Sequence, residues 1–267
     1  MKSSDIALIE RLADAAGAAI RPYYRAEFGL ESKSDATPVT LADRAAEATI
    51  RAILETECPA DGILGEEYGA TREGASRQWV IDPIDGTTSF VAGRPIFGTL
   101  IALMEEGWPV LGLIDQPILN ERWVGVTGRG TTLNGKPVRT RACPDLKDAI
   151  LASTGPQYLS DHEGEHFMAL AAKTAHRRLI WGGDCYNYAL LATGQIDLVV
   201  EAGLKLHDLA ALVPVVEGAG GQMCDWSGEP LHAESRGDVI ALGDPARLED
   251  VLEGLACHHA DGLDPAS

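Results

Sequence analysis

The stretch WVIDPIDGTTSF, residues 79–90, decides how this chain is read. An apolar run, Trp79-Val80-Ile81, leads directly into two aspartates separated by Pro83 and Ile84. Carboxylates at the end of a buried strand are costly unless something positive meets them. Proline fixes φ and removes a donor, so the turn is stiff and can aim Asp82, Asp85 and the Ile84 carbonyl into one place. Gly86 lets the backbone come close to a ligand. Thr87, Thr88 and Ser89 then suit a helix start, where free N–H groups attract an anion such as phosphate. Oxygen ligands for a hard cation thus lie beside an anion cradle, a pairing that suits Mg²⁺.

Two further acidic places resemble the first. LGEEYG (64–69) sets Glu66 and Glu67 just after an apolar strand, and KLHDLAAL (205–212) sets Asp208 in the first turn of an apolar helix. Taken singly, these read as a solvated loop and a helix cap, and DPIDGT as a capped turn. Their order and residue types together point to a cation site.

Around these motifs the pattern predicts a helix over 4–27, a loop through SKSDATPV, a second helix over 41–57, and short strands in DGILGEEYG and QWVID. From Phe97 to Val138, strand-like runs separated by turns predict an antiparallel meander, with Asn134-Gly135 as a tight hairpin. The rest alternates: strands in DAILAST, RRLIW, IDLVVE, QMCDW and GDVIALG, and helices over 161–175, in DCYNYALLATG, in HDLAALVPVVEGAGG and over 245–256. The last eleven residues read as frayed. Two halves of one compact unit follow, an α+β part over 1–142 and an α/β part over 143–267, with a cleft expected at their junction.

Composition limits the alternatives. The 267 residues carry a formal charge of −18, which repels nucleic-acid phosphates and anionic membranes. Five cysteines, none spaced CxxC, argue against a disulfide framework or a thiolate zinc site. The charged N-terminal stretch is unlike a signal peptide, and no apolar run approaches a membrane span, so the cytoplasm is the expected compartment.

GEE, WVIDPIDGTTSF and HDLAA…EGAGG together resemble the inositol monophosphatase superfamily of Mg²⁺-dependent, Li⁺-sensitive phosphatases. The likeness runs from TLAD (40–43) to the glycines at 218–221. It implies a layered αβαβα sandwich of the inositol monophosphatase/fructose-1,6-bisphosphatase type, two or three Mg²⁺ ions (with Mn²⁺ as a substitute) and a homodimer. It implies that Glu66, Asp82 and the Ile84 carbonyl hold one ion, and that Asp82, Asp85 and Asp208 hold another. By the same likeness, Thr87 and Glu66 orient the attacking water, Asp43 orients Thr87, and the Gly86 and Thr87 N–H groups hold phosphate. Lys33 would lie on a mobile loop near a weaker third position. His207 departs from the pattern, standing where many members carry tryptophan.

GRPIFGTLIAL…GLIDQPILNERWVG and WGGDCYNYALLATGQIDLVVEAGLKLHD resemble the histidinol-phosphate phosphatases of the superfamily. In that likeness, Asp184 and Glu201 read the substrate, and Tyr186 or Tyr188 packs on its imidazole or in the core. Asp184 also suits a helix cap. The expected function is hydrolysis of L-histidinol phosphate in histidine biosynthesis. The alternatives are an inositol 1-phosphate or related sugar or nucleotide 3′-phosphate phosphatase and, from another class, a non-catalytic regulatory protein. A small phosphorylated metabolite is the expected partner.

Overall fold

The computed structural model describes residues 3–26, 38–175 and 178–256. Lys33 and the C-terminal stretch from Cys257 lie outside the described residues. The first half comprises α1 (Ser3–Ile20), α2 (Pro38–Glu57), β1 (Gly62–Gly65), β2 (Gly69–Thr71), β3 (Arg77–Asp85) and α3 (Thr87–Val91). The meander follows as β4 (Gly98–Glu105), β5 (Trp108–Gln116), β6 (Glu121–Val126), β7 (Gly130–Leu133) and β8 (Lys136–Val138). Next come β9 (Leu151–Ser153), α4 (Asp161–Lys173), β10 (Ile180–Trp181), α5 (Asp184–Ala192) and β11 (Leu198–Glu201). The chain closes with α6 (Leu206–Leu209), α7 (Leu212–Gly218), β12 (Gln222–Cys224), β13 (Val239–Leu242) and α8 (Leu248–Leu255).

An eight-stranded sheet runs β2-β1-β3-β4-β5-β6-β7-β8, and a five-stranded sheet runs β10-β9-β11-β13-β12. The apolar faces of α1 and α2 cover one side of the first sheet, with Ile9, Leu12, Ile50 and Leu54 packed on Trp79, Ile81 and Ile101. The other side of that sheet and the inner face of the second share one core with α5 and α7, through Leu100, Trp123, Tyr188, Val215 and Val199. Outside the second sheet, Phe167 and Leu170 of α4 and Val251 of α8 close a third core. The result is five layers, helix–sheet–helix–sheet–helix, the αβαβα sandwich. The Asn134-Gly135 hairpin forms, both residues having positive φ and Leu133 pairing with Lys136.

Prolines account for three differences from the sequence reading. The first helix ends at Ile20 because Pro22 enters a 3₁₀ turn there. The helix expected over HDLAALVPVVEGAGG is two pieces, with Pro214 in the first turn of the second. The final helix starts at Leu248, after a 3₁₀ turn opened by Pro245. Among the described residues, no helix is long and apolar enough to cross a membrane. Cys58, Cys143, Cys185 and Cys224 are all free thiols.

Candidate active site

Side chains three apart on a regular strand point to opposite faces, so Asp82 and Asp85 should diverge. They do not, because β3 is irregular there. Asp82 pairs with Leu100 and Asp85 with Gly98, so three steps on β3 oppose two on β4. The bulge restores both carboxylates to one side. The Asp82 Oδ1 accepts the Ile84 N–H at 3.0 Å, which fixes the turn.

Asp208 reaches the same place from α6, where its Oδ2 accepts the Lys205 N–H at 2.7 Å. One oxygen from each of Asp82, Asp85 and Asp208 lies within 4.8 Å of the others. Asp82 is buried and the other two are half-buried. Burial, then Asp85, Glu66 and Asp208, push the Asp82 pKa well above the usual carboxylate range. Burial, then Asp184 and Asp208, do the same to Asp85. Among the described residues no lysine or arginine forms an ion pair with the three; the nearest basic partner is His207, its Nε2 3.5 Å from Asp208 Oδ1. Three carboxylates gathered without a protein cation form a donor set that fits a hard divalent metal ion.

Glu66 is exposed and outside this trio, yet near enough to raise both Asp82 and Asp43. Its loop is held by Glu47 of α2, whose carboxylate accepts the Glu67 N–H at 2.8 Å and pairs with Arg51 at 2.6 Å. A Cβ at Gly65 would meet the Glu47 carboxylate at 1.9 Å, so only glycine lets the loop close on it. Neither Glu47 nor Arg51 was singled out from sequence. The signal was there: Asp43, Glu47 and Arg51 repeat every four residues on one helical face.

Asp43 does not orient Thr87 by hydrogen bonding. The Thr87 hydroxyl instead donates to the Ile84 carbonyl at 3.3 Å, because α3 folds back on the end of β3. Asp43 faces acidic neighbours; burial, then Glu67, Glu66 and Glu47, raise its pKa to about 8. Its Oδ1 is buried with no hydrogen-bond partner.

A cavity of about 240 Å³ opens beside the trio, lined by Asp85, Gly86, Thr87, Asp184, Glu201 and Asp208 among others. Gly86, Thr87, Asp184 and Glu201, all singled out from the sequence, therefore share one space with Asp85 and Asp208 of the trio. Asp184 does not cap α5. It is the first helical residue, with positive φ, and Gly183 precedes it as the cap. The N–H of Cys185, in the first turn of α5 and so without a partner inside the helix, goes to Asp85 Oδ2 at 2.6 Å, across a hundred residues of chain. The Asp184 carboxylate turns to the DPIDGT loop. It accepts the Ser89 hydroxyl at 3.2 Å and lies where a Cβ on Gly86 would come within 2.8 Å of Oδ2. Gly86, at φ 83°, is therefore required both by conformation and by this contact.

Glu201, at the end of β11, is 5% exposed. Its Oε1 accepts the Thr154 N–H at 2.7 Å and the Thr154 hydroxyl; its Oε2 accepts the Tyr188 hydroxyl at 2.8 Å. Burial raises its pKa to about 7 against the pull of those donors. Tyr188 is therefore a buried hydrogen-bond donor to a carboxylate. Tyr186 packs on Trp123 and donates to Glu121 at 2.6 Å, and the Tyr188 ring lies buried in the shared core. The exposed aromatic on the cavity wall is Tyr158.

Known proteins bear on this geometry. A bifunctional phosphatase, IMPL2, of Arabidopsis thaliana is 46% identical over 256 residues, spanning 92% of this chain and 73% of the relative. A histidinol-phosphatase of Chlorobaculum parvum is 38% identical, spanning 89% and 92%. A solved inositol monophosphatase of Zymomonas mobilis superposes with a TM-score of 0.90 at 51% identity, covering 96% of this chain and all of that one. The family model for inositol monophosphatases matches residues 1–260, and with the bulged DPIDGT strand, the carboxylate trio and the five-layer fold this chain belongs to the inositol monophosphatase family of phosphatases.

Proposed function

We propose that this phosphatase hydrolyses the monoester of a small amino alcohol, L-histidinol phosphate, with Mg²⁺ at the carboxylate trio. One observation carries the substrate reading. The cavity wall adds Asp184 and Glu201 to the acidic residues that would serve a cation, and among the described residues it includes no lysine or arginine, Arg94 acting on Asp184 from outside it. A substrate bringing its own positive charge is favoured there over a neutral polyol. In histidinol phosphate the ammonium-bearing carbon adjoins the ester carbon. A carboxylate held against the Gly86 backbone, as Asp184 is, lies beside the place where phosphate would sit.

Asp82, Asp85 and Asp208 would hold Mg²⁺, with Glu66 and the Ile84 carbonyl at its edge. Bound there, Mg²⁺ supplies stabilisation of charge on the phosphoryl oxygens and a lowered pKa for water. The Gly86 and Thr87 N–H groups hold phosphate oxygens, and the Thr87 hydroxyl, anchored on Ile84, orients the attacking water. Ser89 keeps Asp184 turned toward the substrate ammonium. No side-chain nucleophile is needed.

A charge-assisted hydrogen bond of roughly 1.5–3 kcal/mol corresponds to about ten- to a hundredfold discrimination. The test is kcat/KM for L-histidinol phosphate and for inositol 1-phosphate, in the native enzyme and in Asp184→Ala. The expected result is a native preference for histidinol phosphate that collapses in the variant. A native preference for inositol 1-phosphate would instead establish the second reading, which the likeness to the Zymomonas mobilis inositol monophosphatase favours.

A further inference from the structure

Resting on that reading, we infer that Tyr188 is a positioning residue for substrate choice, acting through Glu201. A carboxylate offers about four acceptor directions. Thr154 fills two on Oε1 and Tyr188 fills one on Oε2, which leaves a single direction on Oε2 for the cavity. A glutamate free on its stem could rotate to meet two vicinal hydroxyls at once. Clamped at both oxygens, Glu201 presents one acceptor at one angle, which suits a single N–H donor.

The clamp is rigid on both sides. Tyr188 is fully buried, packed in the shared core between the two sheets. The backbone N–H of Thr154 follows directly from β9, which pairs with β11, the strand that carries Glu201. The Trp226 indole donates to the Glu201 carbonyl at 3.1 Å and fixes the backbone behind it. A buried tyrosine joined to a buried glutamate could serve stability alone. Glu201 and Tyr188 both reach the cavity wall, however, and the geometry sets how that carboxylate meets a ligand.

The charge state follows the same contacts. The charged or titratable groups that face Glu201 are Tyr188 and Asp184 from α5, with Asp85 and Asp208 across the cavity. Burial favours the neutral carboxyl, and the Tyr188 and Thr154 donors favour the carboxylate. Removing the Tyr188 hydroxyl therefore raises the pH at which Glu201 ionises.

Tyr188→Phe removes one hydroxyl and keeps the ring. With Mg²⁺ present, the expected result is about a tenfold rise in KM for L-histidinol phosphate, the loss expected for one hydrogen bond to a charged group. The affinity for L-histidinol, measured by calorimetry, falls by the same factor. kcat stays within about twofold, the acid limb of kcat/KM moves to higher pH, and kcat/KM for inositol 1-phosphate does not fall, because a less constrained Glu201 can turn to its hydroxyls. In a Glu201→Gln background the substitution adds nothing, since both act through one group. Thr154→Val, which keeps the N–H donor, gives the same signature more weakly and serves if Tyr188→Phe folds poorly. The inference is overturned if KM, histidinol affinity and the acid limb are all unmoved, or if the loss recurs in full in the Glu201→Gln background. In those outcomes a native enzyme that still prefers histidinol phosphate leaves the proposed function standing. A native enzyme that prefers inositol 1-phosphate removes both.

Discussion

The two ends of β3 gather acidic groups in opposite ways. At its start, Arg77 binds Asp5 at 3.1 Å, Asp61 at 3.4 Å and Glu105 at 2.5 Å. At its end, Asp82, Asp85 and Asp208 converge with no lysine or arginine paired to them among the described residues. Each end collects three carboxylates around the same strand. Where the chain supplies the cation, the cluster is complete and structural. Where it does not, burial and repulsion hold Asp82 and Asp85 above their ordinary pKa, and the cluster fits a cation. An acidic cluster is thus diagnosed by the arginine it lacks.

Exchanging the character of the two ends tests that contrast. Asp82→Asn should cost most in activity, roughly a thousandfold in kcat or about 4 kcal/mol of transition-state stabilisation. The metal-free variant should melt higher than the metal-free native protein, because one member of a repelling set is gone. Retention of a tenth of kcat would remove the cation reading. Arg77→Gln should do the reverse, costing about 2–4 kcal/mol of stability by leaving acids in a partly buried place without their guanidinium. Its kcat at saturating Mg²⁺, measured below the new melting point, should be unchanged. A large fall in kcat there would mean that the two ends are coupled along the strand.

The sequence disclosed the unpaired acidic end of β3 better than the rest, for a physical reason. The DPIDGT turn is local: its carboxylates, proline and glycine are consecutive, and the helix start follows at once. Asp208 was legible because a first-turn acid on an apolar helix is also a local pattern. The bulge that brings Asp82 and Asp85 to one side was not legible, since it depends on how β4 pairs. The cavity wall was only half legible. Asp184 and Glu201 were expected there, but Ser89 to Asp184, Asp85 to Cys185 and Tyr188 to Glu201 are made by packing between layers, and no spacing announces them. Tyr188 therefore read only as a ring, to pack on an imidazole or in the core, whereas its hydroxyl bonds Glu201. The Arg77 cluster went unread for the same reason, its partners coming from α1, the approach to β1 and the end of β4.

A finer test of the contrast is the pH dependence of stability. Burial and Glu67, Glu66 and Glu47 raise Asp43 to about 8, and Asp82 and Asp85 are raised as well. A carboxyl whose pKa is higher folded than unfolded binds its proton more tightly in the folded state. Its stabilising effect is complete below the unfolded value of about 4 and is lost as pH rises through the folded value. The metal-free protein should accordingly melt higher as pH is lowered from about 9 to about 6, a window set by Asp43, with the raised Asp82 and Asp85 adding to it. Saturating Mg²⁺ should raise the melting temperature and flatten this slope, because a bound cation offsets the repulsion that protons otherwise relieve. Asp43→Asn should flatten part of the metal-free slope without added Mg²⁺. The Arg77 end gives the control. In the native protein its acids already have a cation, so the slope that survives saturating Mg²⁺ should be small. Arg77→Gln should lower the melting temperature in both conditions and leave the metal-free slope in place, since that slope belongs to the other end of the strand. Differential scanning fluorimetry across this range, with Mg²⁺ and with chelator, reads all four cases. A metal-free melting temperature that falls steadily from pH 9 to pH 6 would show that the acidic end of β3 is not under the repulsion ascribed to it.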